Sequence, residues 1–157
     1  MVGRTSVKYG LLVLCALAVG ACGDDSDPVG TETPEQTTFS PILGVDLSQM
    51  TRLPSGLYYR DLTVGTGAEA QVGDRVRMGY SGWLPDGTLF DGGTLTPFVL
   101  GEGRVIEGWE IGIPGMRVGG TRKLVIPSAL GYGNQPNGPI PAKSVLVFDV
   151  ELLEIVP

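Results

Sequence analysis

The chain contains no histidine. This removes the commonest metal ligand and the commonest general base at neutral pH. A Ser/His/Asp nucleophile is excluded for the same reason. Cysteine is almost as scarce, because only Cys15 and Cys22 occur and both lie near the N-terminus. The rest of the chain can form no disulfide and offers no thiol nucleophile.

Basic residues are also few. Lys and Arg total 11 against 17 Asp and Glu, which gives a formal charge of −6. A chain without a basic patch has little to offer phosphates, so we expect no nucleic-acid partner. Glycine is abundant, but no phosphate-cradling loop with its lysine occurs. We therefore expect neither a metal nor a cofactor.

The composition favours one turn-rich domain with a true core. The chain has 157 residues, of which 25 are glycine and 12 proline, and 42% are hydrophobic. That length suits one ordinary domain with some residues left over. The hydrophobic fraction is too high for a disordered chain.

Residues 1–21 have the pattern of a secretory signal peptide. Arg4 and Lys8 precede an apolar run at residues 11–19 that is too short to span a bilayer comfortably. The sequence Val19-Gly20-Ala21-Cys22 resembles the bacterial lipobox, in which the cysteine after the cleavage site is lipidated. We expect a lipid anchor on Cys22 and a cell-envelope location facing the periplasm or the outside of the cell. The alternative is an ordinary signal peptide with an incidental cysteine.

Residues 22–53 are predicted to form a flexible tether. The stretch up to about Gln36 is rich in Asp, Thr, Pro and Glu and has no apolar period. Residues 39–53 are intermediate, and Ile42-Leu43 and Val45-Asp46-Leu47 are candidates for docking on the domain surface. The folded domain is then expected over residues 54–157.

Within 54–157 the patterns indicate many short strands and one short helix. Val76, Met78 and Tyr80 alternate with polar or small residues, as in a half-buried strand. Ile106, Trp109 and Ile113 recur at helical spacing, and Pro114 disfavours continuation of that helix. We expect an α+β domain with an antiparallel sheet.

Aromatic and aliphatic residues from separate segments are the remaining candidates for a site. Taken alone, each is more simply explained as core, Trp109 included. The set contains one acidic residue, Asp91, directly after Phe90.

Several motifs follow one another along residues 54–157. They are Val76-Arg77-Met78-Gly79-Tyr80-Ser81-Gly82, Asp86-Gly87-Thr88-Leu89-Phe90-Asp91, Val105-Ile106-Glu107-Gly108-Trp109-Glu110, Gly131-Tyr132-Gly133, Ile140-Pro141 and Leu146-Val147-Phe148-Asp149-Val150-Glu151-Leu152-Leu153. In these motifs and their order the chain resembles the FK506-binding-protein (FKBP) type of peptidyl-prolyl cis-trans isomerase.

The resemblance implies a curved antiparallel sheet of about five strands wrapped around one short helix, with an apolar pocket between them. It implies isomerisation of X-Pro bonds in exported proteins, without cofactor. Proline-containing polypeptides are the implied substrates, the macrolides that inhibit the family are possible ligands, and we expect a monomer. The implied catalytic residues are Tyr80, Phe90, Asp91, Trp109, Tyr132 and Phe148. The implied substrate-binding residues are Phe98, Val105, Ile106, Gly131 and Ile140.

The sequence departs from the family pattern in three places. Thr96 stands where an aromatic residue usually edges the pocket, and Phe98 follows two residues later. One extra residue precedes Tyr132, with Gly131 where alanine is usual. The loop at residues 134–139 is short and ends in Pro139.

Two other functions are alternatives to an isomerase, and each needs the same pocket residues or fewer of them. A lipid-anchored binding module or chaperone would keep the pocket without turnover. A structural envelope protein with an incidental fold would not require Tyr80, Asp91, Trp109 and Phe148 to be kept. The resemblance favours the isomerase.

Overall fold

Two long antiparallel strands, β3 (Arg75–Trp83) and β7 (Leu146–Val156), pair at the centre of the fold. The computed structural model describes residues 32–157. The predicted signal peptide, the predicted lipidated Cys22 and the first part of the predicted tether lie outside the described residues.

One antiparallel sheet holds all the strands of the described part of the chain. Besides β3 and β7 these are β1 (Thr51–Arg52), β2 (Tyr58–Thr63), β4 (Leu89–Thr94), β5 (Phe98–Val99) and β6 (Thr121–Ile126). The strand order is β1-β2-β6-β7-β3-β4, and β5 also pairs with β3. Five strands have six or more residues, which confirms the predicted antiparallel sheet.

The alternation of β7 determines where the core lies. Leu146, Phe148, Val150 and Leu152 point to one face and belong to the main hydrophobic core. Burial of these side chains between sheet and helix is the main source of stability.

One short α-helix, α1 (Glu107–Gly112), packs against that face. Gly108 and Gly112 allow the close approach, since a Cβ at Gly108 would lie 2.5 Å from Cγ2 of Ile126. Ile113 is the C-terminal cap, immediately before Pro114. The helix therefore ends where the proline predicts.

Arg122 on β6 fastens the end of this helix to the sheet. Its guanidinium donates to both carboxylate oxygens of Asp61, at 2.6 and 3.1 Å, and to the Gly112 carbonyl at 2.9 Å. It also lies over the Tyr59 ring, 4.5 Å from the centroid. Arg122 thus supplies a donor to a helix carbonyl that has no partner within the helix. This role of Arg122 is not evident from the sequence.

The opposite, outer face of the sheet is covered by residues 32–53, which we call the N-terminal segment. It forms three 3-10 turns, at Pro34–Gln36, Pro41–Leu43 and Leu47–Gln49, before β1. The sequence predicts a tether here, with Ile42-Leu43 and Val45-Asp46-Leu47 as candidates for docking. In the structure Leu43 is buried and Val45 and Leu47 pack beside it, whereas Ile42 is 78% exposed. A second hydrophobic cluster lies beneath the segment and consists of Leu43, Tyr58, Val125, Val145 and Val147.

Candidate active site

A cavity of about 380 Å³ opens between α1 and the concave face of the sheet. Eight of the eleven predicted pocket residues line it. The lining residues are Tyr80, Phe90, Asp91, Leu95, Arg104, Val105, Ile106, Trp109, Tyr132 and Phe148.

Four aromatic rings form the floor and one wall of this cavity. The Trp109 indole meets the Tyr80 ring edge to face, with centroids 5.4 Å apart. The Phe148 ring lies at the same distance from Trp109 and 5.5 Å from Phe90, again nearly perpendicular. Such edge-to-face contacts are favoured by the ring quadrupoles. They fix the four rings as one apolar surface.

Gly82 on β3 makes room for this arrangement. A Cβ at Gly82 would lie 2.6 Å from Cε1 of Phe148 and 2.7 Å from Cζ of Phe90. Real Cβ atoms do not approach other carbons so closely, so the two rings can occupy these positions only because the residue has no side chain. Gly82 belongs to one of the family motifs, but the motif alone does not reveal that this glycine makes room for the two rings.

Asp91 and Tyr80 form the polar edge of the cavity. The Tyr80 hydroxyl donates to Oδ2 of Asp91 at 2.7 Å, and the Gly92 N–H donates to Oδ1 at 2.9 Å. Burial raises the pKa of Tyr80 to about 12, and the hydrogen bond to Asp91 acts in the same direction. Tyr80 therefore stays a neutral donor throughout the physiological range.

The start of α1 presents a free backbone donor. Ile106 is the N-terminal cap and has extended geometry, so its carbonyl accepts from Trp109 and Glu110. Within residues 32–157 its own N–H donates to no backbone carbonyl. Tyr132 stands at the mouth with 37% of its surface exposed. The Ile106 N–H and the Tyr132 hydroxyl are two donors at the cavity that a ligand carbonyl could accept from.

The described residues contain no group of three or more side chains suited to hold a metal ion. Nor does any helix between residues 32 and 157 have the length and apolar character needed to cross a bilayer. The cavity is thus an aromatic pocket with a few fixed hydrogen-bonding groups, which is the usual character of a ligand site.

Comparison with known proteins identifies the family. The model of the FKBP-type peptidyl-prolyl cis-trans isomerases matches residues 67–153. The chain belongs to the FKBP family.

Two relatives are similar to this chain over more than 100 residues each. FK506-binding protein 4 of Rhizopus delemar is 47% identical over 111 residues, which cover 68% of this chain and 29% of that protein. A peptidyl-prolyl cis-trans isomerase of Saccharomyces cerevisiae is 45% identical over 106 residues, or 66% of this chain and 26% of that protein. The chain therefore spans less than a third of the length of these two relatives.

Solved FKBP structures have the same fold. The crystal structure of AtFKBP13 superposes with a TM-score of 0.64 and is 38% identical, covering 68% of this chain and 98% of that one. FkpA from Escherichia coli gives a TM-score of 0.63 at 38% identity, with 69% and 52% covered.

Three residues that the FKBP resemblance assigns to substrate binding do not line the cavity. Phe98 and Ile140 are buried in the main core. Gly131 lies beside Leu146, whose Cδ1 would be 3.1 Å from an added Cβ. Phe98 therefore does not replace the pocket-edge aromatic residue that the family usually has at the position of Thr96.

Leu95 and Arg104 line the cavity although the sequence analysis does not single them out. Leu95 precedes Thr96, and its N–H donates to the Met78 carbonyl at 2.9 Å. This bond holds the segment after β4 against β3. Both residues lie outside the helix and the strands, where periodicity carries no information about side-chain direction.

Proposed function

We propose that the chain catalyses cis-trans isomerisation of X-Pro bonds in polypeptides. The observation that carries this proposal is the aromatic cavity built from Tyr80, Phe90, Trp109 and Phe148 in a chain of the FKBP family. It has the size and apolar character to receive a proline ring.

The chemistry requires a twisted amide and no covalent step. Rotation about an X-Pro bond loses amide resonance, and the barrier is about 18–20 kcal/mol. The uncatalysed event takes on the order of 10–100 s. Because the twisted amide has less charge separation than the planar one, a dry aromatic pocket favours it relative to water. The pocket thus binds the transition state better than the ground state.

Two donors are positioned to hold the flanking carbonyls while the bond turns. The Ile106 N–H is directed out of the start of α1, and the Tyr132 hydroxyl stands at the mouth. Because these carbonyls flank the bond that turns, the donors hold them alike in the planar and the twisted state, and they contribute through substrate binding. Asp91 is engaged by Tyr80 and Gly92, so its function is to orient the pocket edge.

The experiment must separate turnover from binding, because a chaperone or binding module would need the same pocket. Exchange NMR on a short X-Pro peptide measures cis-trans interconversion directly, without a coupled protease. We expect a catalytic amount of the full chain to accelerate both directions equally. Saturable binding of the peptide without faster exchange would identify a binding module instead.

We also propose that FK506-type macrolides occupy this cavity. The support is family membership and the name FK506-binding protein borne by relatives such as that of Rhizopus delemar. A macrolide in the pocket would displace the X-Pro segment, so it should inhibit peptide exchange competitively. The cavity is complete within one chain, which supports a monomer as the active form.

The N-terminal residues support a further proposal, that the protein is a bacterial lipoprotein anchored in the cell envelope through Cys22. The support is the charged and apolar pattern of residues 1–21 and the lipobox-like Val19-Gly20-Ala21-Cys22. Cys22→Ser should block lipid attachment. Mass spectrometry of the mature protein that found an unmodified Cys22 would contradict the anchor and leave the proposed enzyme activity unaffected.

A further inference from the structure

The N-terminal segment reaches the loop that carries Tyr132. The family match begins at residue 67, so residues 32–53 lie outside it. Even so, the Ser128 N–H donates to the Glu32 carbonyl at 3.3 Å. Ser128 is fully buried and begins the loop that leads to Tyr132.

Ser128 in turn fixes the backbone on both sides of Tyr132. Its carbonyl accepts from the Gly131 N–H at 3.1 Å and from the Gly133 N–H at 2.7 Å. Because 37% of the Tyr132 surface is exposed, packing alone does little to fix this side chain. The hydrogen bonds to the Ser128 carbonyl, together with the one from the Lys143 N–H to the Gly133 carbonyl at 2.7 Å, therefore help to set its direction.

Glu35 is the anchor that keeps the first turn of the segment in place. Its Oε1 accepts from the Tyr58 hydroxyl at 2.8 Å and from Nε of Arg52 at 2.9 Å. Its own backbone N–H, followed by these two donors, lowers the pKa of Glu35 to about 2. It is therefore a carboxylate at any pH near neutral, and charge-assisted bonds are the stronger kind.

A second contact joins the segment to the turn before β4. The Ser40 N–H donates to the Pro85 carbonyl at 2.7 Å. Pro85 lies in the turn between β3 and β4, the strand that carries Phe90 and Asp91. The segment thus contacts the chain shortly before two parts of the pocket lining, although neither Ser128 nor Pro85 lines the cavity itself.

We propose that Glu35 is a positioning residue for Tyr132, acting through the Glu32 carbonyl and Ser128. The N-terminal segment is then part of the isomerase site and not a passive tether. The effect of Glu35 on substrate binding rests on the proposed isomerase function. The backbone connection itself can be measured without substrate.

The test compares Glu35→Ala with Glu69→Ala in the full chain. Glu69 is a matched control, since its carboxylate also pairs with an exposed arginine, Arg117 at 3.1 Å, but at a site away from the segment. Glu35→Gln keeps an acceptor for the Tyr58 hydroxyl and should fall between Glu35→Ala and the unmodified chain.

Amide hydrogen exchange gives the first readout. In Glu35→Ala we expect faster exchange at Ser128 and also at Gly131 and Gly133, by about threefold or more. Glu69→Ala should leave all three unchanged. Unchanged exchange at Ser128, or faster exchange at Ser128 without change at the two glycines, would overturn the proposal.

Kinetics give the second readout. A donor that holds substrate and transition state alike affects KM and leaves kcat unchanged. We expect Glu35→Ala to raise KM by about threefold and to have no such effect in a Tyr132→Phe background. Equal effects in both backgrounds would mean that Glu35 is merely structural. If the chain proves to have no isomerase activity, the exchange experiment still decides the backbone connection.

Discussion

Trp109 and Phe148 meet edge to face with ring centroids 5.4 Å apart and ring planes at 86°. Trp109 comes from the only α-helix of the described residues and Phe148 from the central strand β7. Each ring is about 3% exposed. The shape of the cavity therefore depends on how the helix packs against the sheet, and changes to that packing should alter both stability and substrate binding.

Gly82→Ala should displace two of the aromatic rings that line the pocket. The added methyl group would displace the Phe148 and Phe90 rings, which lie 2.6 and 2.7 Å from its ideal position. Overpacking of this kind costs about 1–3 kcal/mol, and we expect weaker peptide binding as well. Gly79→Ala on the same strand is the control, since its nearest neighbour would be 3.7 Å away. Denaturant unfolding and peptide titration would measure both effects, and equal behaviour of the two variants would contradict this account.

Arg122→Met should loosen the helix from the sheet. It removes the donor to the Gly112 carbonyl and leaves Asp61 without its bidentate partner. We expect a loss of about 3 kcal/mol in the free energy of unfolding. Arg117→Met, at an ion pair in which both side chains are about half exposed, should change it by no more than about 1 kcal/mol. A similar small loss in both variants would show that Arg122 does not fasten the helix.

The sequence predicts the sheet, the helix and eight of the pocket residues because independent motifs occur in the family order. It does not predict the role of Arg122, since an arginine within a strand has the same pattern whether it faces water or a helix end. Phe98 is predicted to line the pocket because it is aromatic and close to Thr96, but on β5 it lies in the core. In the N-terminal segment the apolar residues Leu43, Val45 and Leu47 could be named as candidates for docking, and they do pack on the domain. The hydrogen bonds of Glu32, Glu35 and Ser40 could not, since polar residues of this kind have the same pattern in a solvated tether.

The rate should not depend on pH near neutrality. The described part of the chain has no histidine or cysteine, and the pKa of Tyr80 is raised to about 12. A raised pKa keeps the phenol protonated, so its hydrogen bond to Asp91 persists until the pH rises far above neutral. We expect kcat/KM to be flat between about pH 6 and pH 8.5, with nearly equal rates in normal and heavy water. A bell-shaped profile with a large solvent isotope effect would indicate proton transfer.

The most direct test of the central claim is turnover of a short X-Pro peptide by Phe148→Tyr and Asp91→Ala. The first puts a hydroxyl into the apolar pocket, and the second removes the acceptor of the Tyr80 hydroxyl. Phe98→Leu is the control, because it changes a buried ring outside the cavity lining. We predict that the two pocket variants keep the fold and have kcat/KM lowered by about tenfold, and that the control has near-normal turnover. Full activity of both pocket variants would place the catalytic site elsewhere and contradict the account.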